Sequence, residues 1–420
     1  AARPLSLCTV RPTSARTLST DPPSTEGPRG WGKGNKMTET MTPGWKTEEH
    51  ALYADTVRQF LDAEVVPHIE QWRKDGVVGR DVWTRAGEAG LLGATYPEEY
   101  GGAGVPKSFD AVLLYEHARC GDTGWGMAIQ SIVGHYIDAY GTEEQKQRWL
   151  PRMASGELIA AIAMTEPGCG SDLQAVTTTA TRKDGELIIN GSKTFITNGQ
   201  LANLVCVVAP TEEAAGGKGL SLVFVETEGA EGFRRGQNLE KIGMKSQDTS
   251  ELFFEDVRVP EANLLGEAGG QGFYQLMNQL MWERLIIGVT ALGAMDLIVD
   301  ETVNYTKDRK LFGGRLFDLQ NTRLKLAEAK TKTEVLRSFI SDCLERIDSG
   351  TLDPSTASMA KWWGSQMQTE VADECLQLFG GYGYMAEYPI ARAFADARVQ
   401  KIYGGANEVM KELIARSLDR

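Results

Sequence analysis

Histidine, paired cysteine and long apolar runs are all scarce in this sequence. The four histidines are His50, His68, His117 and His135, all in the first third, and none forms an i, i+4 ligand pair. A metal site is therefore not expected. The six cysteines (Cys8, Cys120, Cys169, Cys206, Cys343 and Cys375) are scattered and contain no CxxC. A chain of this size with that usage predicts no disulfide framework and fits a reducing compartment. No apolar run approaches the ~18 residues that span a bilayer; the stretch Leu285 to Val289 is far too short. There is no GxGxxG fingerprint, no GK[ST] phosphate loop and no internal repeat. The net charge is −13, which argues against non-specific nucleic-acid binding.

What is present is an ordinary globular composition over 420 residues, 42% hydrophobic and 24% charged. That length can bury a large core and predicts two or three structural units. Residues 1–20 carry Arg3, Arg11 and Arg16, no acid and several Ser and Thr. Residues 1–36 read as a mitochondrial transit segment, with a disordered tail as the alternative. The first reading places the protein in the mitochondrial matrix, the second in the cytoplasm.

Three textures follow. Residues 45–157 are helical, with Thr47 as an N-cap, a break at Pro67, a helix opening at Asp81 and a capping box at Thr142 and Gln145. Residues 158–264 hold short apolar segments (LIAAIAM, LVCVVA, LSLVFVE, ELFFEDVRV) separated by turn signals. Residues 265–420 return to helical spacing, near 272–308, 318–347, 354–379 and 406–416. The order predicts an α+β chain: a helical domain, a β-domain and a C-terminal bundle.

Four segments carry chemistry. In Ala163-Met-Thr-Glu-Pro-Gly-Cys-Gly-Ser-Asp172, Gly168 and Gly170 allow close backbone approach to a ligand, while Thr165 and Ser171 offer hydroxyls. Alone it is equally an ordinary β-turn. In Lys193-Thr-Phe-Ile-Thr-Asn198, read as lying between strands, Phe195 can stack on a ring and Thr197 can bond its edge. Taken singly, such a Phe is more often core. Glu283 sits in NQLMWERLIIGVT, where Gln279, Leu280, Ile286 and Ile287 offer no local cation. A carboxylate on an apolar face has a perturbed pKa, as a general base does, or is bonded to a distant Arg. In Lys401-Ile-Tyr-Gly-Gly-Ala-Asn-Glu-Val-Met410, Gly404 and Gly405 precede a helix whose N-terminal N–H groups can hold an oxyanion; an ordinary helix-capping turn would look the same.

Together AMTEPGCGSDL, KTFITNG, KDRKLFGGRLFDLQ, QLFGGYGY and IYGGANEVMKELIAR resemble the acyl-CoA dehydrogenase family, from about residue 45 to 420. The resemblance implies an N-terminal α-helical domain, a β-barrel-like middle domain and a C-terminal four-helix bundle. Many members carry the base just before the final glycine. Here that slot is Gly404, which cannot act as a base. The subgroup resembling long-chain and isovaleryl enzymes places its glutamate in an ERL string, present here as Glu283-Arg284-Leu285. The words EYPIA and YGGANEVMKELIAR are most similar to the long-chain enzymes.

By this resemblance FAD is the cofactor. Ile162, Ala163, Met164, Thr165, Gly170 and Ser171 line it; Phe195, Ile196 and Thr197 flank its ring. Arg309, Phe312, Gln320 and Gln377, Leu378, Phe379, Gly380 and Gly381 meet the FAD of a neighbouring subunit. Ala406, Asn407 and Glu408 also touch it. Ser171, Tyr274, Met281, Trp282, Arg284 and Gly404 border the acyl-CoA. The implied form is a dimer or tetramer.

The implied reaction is α,β-dehydrogenation of a long-chain acyl-CoA in fatty acid β-oxidation. Glu283 takes the α proton, flavin N5 the β hydride, and electrons pass to an electron-transferring flavoprotein. A backbone N–H near Gly404 and a ribityl hydroxyl of the flavin hold the enolate oxygen. A branched-chain (isovaleryl) dehydrogenase, an acyl-CoA oxidase and a non-catalytic acyl-CoA-binding assembly protein are the competing readings.

Overall fold

The computed structural model describes residues 45–211 and 219–419, all within one unit. The expected transit segment at 1–36 lies outside the described residues.

The first helices are α1 (Glu48–Phe60), α2 (Ile69–Asp75), α3 (Asp81–Glu88), α4 (Lys107–Arg119), α5 (Met127–Tyr140) and α6 (Glu143–Ala154). Thr47 caps α1: its hydroxyl accepts from the His50 backbone, and His50 Nδ1 accepts from the Thr47 backbone in return. Thr142 and Gln145 form the reciprocal box at α6. The break at Pro67 is a gradual one. After α1 the chain widens into a π turn at Leu61–Val65, then tightens to a 3-10 turn at Val66–His68 before α2 begins. Proline lacks the N–H an α-helix would use there.

The middle segment has β1 (Ala160–Ala163), β2 (Thr179–Lys183), β3 (Glu186–Thr197), β4 (Leu204–Pro210), β5 (Leu220–Glu226), β6 (Phe233–Asn238) and β7 (Thr249–Pro260). One sheet runs β1-β4-β5, with β1 parallel to β4; the other runs β2-β3-β7-β6, all antiparallel. Both contribute to a single apolar layer: Ala161, Val205 and Val223 from one sheet, Leu187, Ile189 and Leu252 from the other. The opposite face of β4 and β5 presents Leu204, Cys206, Val208, Leu222 and Phe224 to the helices. β4 is covered on both faces, so LVCVVA reads as a continuous apolar run rather than an alternation. Each such fully buried side chain contributes about 1.5–3 kcal/mol.

The C-terminal segment has α7 (Gly272–Asp308), a short hairpin of β8 (Lys310–Leu311) and β9 (Gly314–Arg315), α8 (Gln320–Asp348), α9 (Pro354–Phe379), α10 (Pro389–Ala397) and α11 (Asn407–Ser417). α7 and α9 approach where Gly288 meets Gly364; a Cβ on Gly364 would lie 3.1 Å from Gly288 Cα. α7 packs against α4, α5, α8 and α9. Hence Glu283 is surrounded by protein from several segments.

One expectation needs correction. Lys193–Thr197 lies inside β3, not between strands. The strands β2 and β6 and the helices α2 and α10 were not foreseen. β2 (TATRK) and β6 (FRRGQN) are polar and mostly unburied, so they give no apolar signal. The five described cysteines are all unpaired.

Candidate active site

Glu283 projects from the N-terminal third of α7, where positions 282–289 are all buried. It is 8% exposed. The Tyr136 hydroxyl, from α5, donates to Glu283 Oε1 at 2.5 Å. Burial pushes the carboxyl pKa up to about 6, against the lowering effects of the Tyr136 hydrogen bond and Arg284. Burial and the Glu283 charge in turn push the Tyr136 phenol well above its usual range. Cys206 of β4 feels the same carboxylate. A carboxyl poised near 6, mostly ionised at neutral pH, suits a general base.

Arg284 points elsewhere. It is buried, donates to Ser358 Oγ at 3.3 Å, and its Nε has no protein partner. Trp282 is 1% exposed, against His135 (5.7 Å) and the Lys107 ammonium (5.7 Å). Its side chain packs against these groups, and its indole N–H has no protein partner. Met281 is half-buried, and Tyr274 is exposed one end of α7 away.

The tail turn covers the same helix face. Gly404 has φ +62° and Gly405 φ +91°. A Cβ on Gly404 would lie 2.4 Å from Ile287 Cδ1. Ile287 is one helical turn beyond Glu283, so the turn sits beside the carboxylate. Lys361 of α9 donates to the Gly405 carbonyl at 2.6 Å and to Asn407 Oδ1 at 2.9 Å. Asn407 is accordingly buried, while Glu408 is exposed.

The glycine segment after β1 is built on a buried ion pair. Glu166 accepts from Lys193 Nζ (2.8 Å), the Thr177 backbone (2.8 Å) and hydroxyl (2.6 Å), and the Thr178 backbone (2.9 Å). Burial opposes ionisation, but these bonds outweigh it and hold the carboxyl at about 2. Thr194 N–H also bonds Thr165 O at 2.9 Å. The two motifs thus form one surface. On it Gly168 and Gly170 are exposed, and a Cβ at either would meet nothing within 4 Å.

β3 is irregular between Lys193 and Ile196 in its pairing with β7, and Phe195 there takes φ +60°. The bulge turns Phe195 outward, leaving it 66% exposed. Ile196 then points into the core at 2%, as does Ala163 at 0%; any ligand contact from these two is through backbone. Asn198, at the end of β3, donates to Gly126 O and Ala160 O, and Gln130 joins α5 to Leu158 O and Ala160 N. Those bonds tie the Phe195 surface to α5, whose Tyr136 reaches Glu283. An exposed aromatic face beside free glycine backbone and the hydroxyls of Thr165 and Thr197 fits a flat, polar-edged ring such as a flavin.

A second cluster lies elsewhere. Phe312 is 89% exposed with φ +51°, at the hairpin after α7. The Arg309 guanidinium lies 5.6 Å from the Tyr382 ring, and Tyr305 stacks on Phe379 at 4.0 Å. Arg309 therefore lies close to the end of the Gln377–Gly381 segment, with Phe312 three residues further along the chain. Phe379 itself is buried, so its ring belongs to the packing; Gly380 and Gly381 are open. From Glu283 to the end of α7 is about 38 Å at 1.5 Å per residue. That length of helix separates Glu283 from the second cluster.

Among the described residues no group of His, Cys, Asp and Glu could hold a metal ion, and no helix is long and apolar enough to cross a membrane. Sequence reasoning missed Tyr136, Lys361 and the Glu166–Lys193 pair. Only the ion pair had a local signal, since both residues sit inside motifs already singled out.

The chain matches "Acyl-CoA dehydrogenase, N-terminal domain" over residues 47–157, the corresponding middle domain over 161–257 and the C-terminal domain over 270–418. It is 50% identical over 386 residues to the mitochondrial long-chain specific acyl-CoA dehydrogenase of Mus musculus, covering 91% of this chain and 89% of that protein. Among solved structures, an acyl-CoA dehydrogenase from Geobacillus kaustophilus superposes with a TM-score of 0.87 at 44% identity, covering 90% of this chain and 100% of the other. A glutaryl-CoA dehydrogenase from Mycobacterium smegmatis in complex with FADH2 gives 0.83 at 30% identity, covering 89% and 95%.

Proposed function

The chain belongs to the acyl-CoA dehydrogenase family of oxidoreductases, and from that premise we propose that it desaturates long-chain acyl-CoA thioesters between C2 and C3 with Glu283 as base. The observation that carries this reading is the buried Glu283 carboxylate, poised near 6 and held by Tyr136.

FAD, when bound, supplies the two-electron acceptor. Thr165, the Gly168–Ser171 backbone, Phe195 and Thr197 are the residues that would hold its ring. Arg309, Phe312, Gln320 and Gln377–Gly381 would hold the FAD of a neighbouring subunit, in a dimer or tetramer. The distance along α7 supports that division.

Glu283 removes the α proton of the thioester. The electron pair of that C–H bond becomes the C2=C3 bond as hydride leaves C3 for the acceptor. The product is a trans-2-enoyl-CoA. The α proton is weakly acidic, so negative charge on the thioester oxygen must be met by a donor. The Gly404 N–H is that donor in this reading, since its turn stands beside the Glu283 face of α7. Water exclusion, supported by the burial of Glu283, Tyr136 and Ile287, strengthens both interactions.

The domain limits follow the change of texture: 45–157, 158–264 and 265–420. The mitochondrial location named for the mouse relative supports the matrix as the compartment and an electron-transferring flavoprotein as acceptor of the electrons. The decisive experiment is anaerobic bleaching of the flavin by acyl-CoAs from four to eighteen carbons, with isovaleryl-CoA included. Fastest reduction by long straight chains supports the proposal. Preference for isovaleryl-CoA, peroxide formation in air, or no bleaching would each overturn it in favour of a branched-chain enzyme, an oxidase or a binding protein.

A further inference from the structure

We propose that Lys361 is a positioning residue for this reaction: it fixes the Gly404–Gly405 turn so that its N–H groups face the thioester beside Glu283. The inference rests on the reading of Glu283 given above.

Lys361 is 0% exposed. Its hydrogen-bond partners are two neutral oxygens, the Gly405 carbonyl at 2.6 Å and Asn407 Oδ1 at 2.9 Å. Burying an ammonium on neutral partners is costly, and a methionine of similar length would fill the space without that cost. Burial lowers its pKa to about 8; Glu408 raises it, and Arg284 lowers it further. A group kept at such a cost needs a function that packing does not supply.

The turn it grips has unusual freedom. Gly404 and Gly405 are consecutive residues of positive φ, +62° and +91°, and a glycine pair can exchange among many backbone states. Lys361 holds the second glycine's carbonyl. Together with Ser365, whose hydroxyl donates to Asn407 Oδ1 at 3.1 Å, it also holds the first residue of α11. The turn is thus tied from behind at its C-terminal side, from the second glycine to the start of α11. Its front, at Gly404, faces Ile287, one turn from Glu283, with no room for a Cβ between them. Lys361 therefore sets the separation between the oxyanion donor and the base, across which the α proton must move. Misplacement of this kind by about 1 Å costs on the order of a hundred-fold in rate.

The test follows proton removal apart from oxidation. The probe is an acyl-CoA with hydrogens at the α carbon and none at a fully substituted β carbon, incubated with holoenzyme in deuterium oxide. Incorporation of deuterium is read by mass spectrometry. Exchange by the wild type but not by E283Q sustains the underlying reading; equal exchange by E283Q sinks that reading whatever Lys361 does. Given the first outcome, K361M should retain FAD and bind the probe, yet exchange about ten- to a hundred-fold more slowly. With ordinary substrate it should lower kcat more than it raises KM and increase the isotope effect from α deuteration. K361R should recover part of the rate. Wild-type exchange by folded K361M would overturn the proposal. If K361M does not accumulate folded, N407A, which removes one tether, should show a smaller loss of the same kind; no loss there would overturn it equally.

Discussion

A buried carboxyl next to a phenol must justify its cost at a single position. Glu283 is nearly enclosed, and its pKa of about 6 exceeds the unfolded value of 4.5. The sign follows from that order. The folded state holds the proton more tightly, so stability due to this group is full below about 4.5 and is lost as pH rises through about 6. The shift corresponds to about 2 kcal/mol. E283Q should therefore raise Tm at pH 7 relative to the wild type, and the difference should vanish near pH 4; scanning calorimetry at both values checks it. The same variant should bind FAD and fail to reduce it with acyl-CoA. Tyr136 lowers the carboxyl pKa, so Y136F should move the acidic limb of the kcat/KM profile upward by about one unit. A limb that stays in place would separate the hydroxyl from the base. Glu283 was legible in the sequence because a lone acid broke an apolar helical stretch. Tyr136 was not, because its contact spans 147 residues and leaves no trace in the spacing on either helix.

At the level of elements, the ring-facing surface depends on how two strands are locked. Glu166 and Lys193 join the loop after β1 to β3 through a pair only 3% and 0% exposed at the side chains. Removing one partner strands a buried charge, which costs about 3–5 kcal/mol. K193M should lose that much in denaturant unfolding and release FAD, whereas E166Q/K193M should regain much of the stability. The Gly404 turn offers a different trial. A glutamate there would approach Ile287 and adopt a positive φ, so E283Q/G404E should recover only slight activity. Adding I287A should increase the recovery by opening the space. Long helices and apolar strands were legible because hydrophobic period marks any element with a buried face. β2 and β6 were not: their pairing partners, rather than their own polar residues, decide their state. The bulge that exposes Phe195 belongs to the same class, since it arises from a register shift against β7.

For the whole molecule, the question is how two distant clusters serve one cofactor. Arg309, Phe312 and Gln320 sit beyond the end of α7, about 38 Å along the helix from Glu283. If a site combines Glu283 from one subunit with the Arg309 cluster of another, two defective chains can complement. Neither E283Q nor R309A/Q320A homo-oligomers should turn over substrate efficiently. Co-expressed and purified as hybrids, they should show clear activity, because one of the mixed sites has both halves intact. Hybrids no better than the parents would place each site within one chain.

By itself the sequence determined the succession of helical, strand and helical segments, the glycine and aromatic motifs, and the anomalous acid at 283. These are local properties, written in spacing, composition and capping within a few turns of chain. Only the tertiary structure decided that Tyr136 holds Glu283, that Lys361 grips the turn beside it, and that the side chains of Trp282, Ile196 and Phe379 are buried. The reason is geometric. Period fixes which residues share a face, but what that face meets depends on packing between segments far apart in the chain.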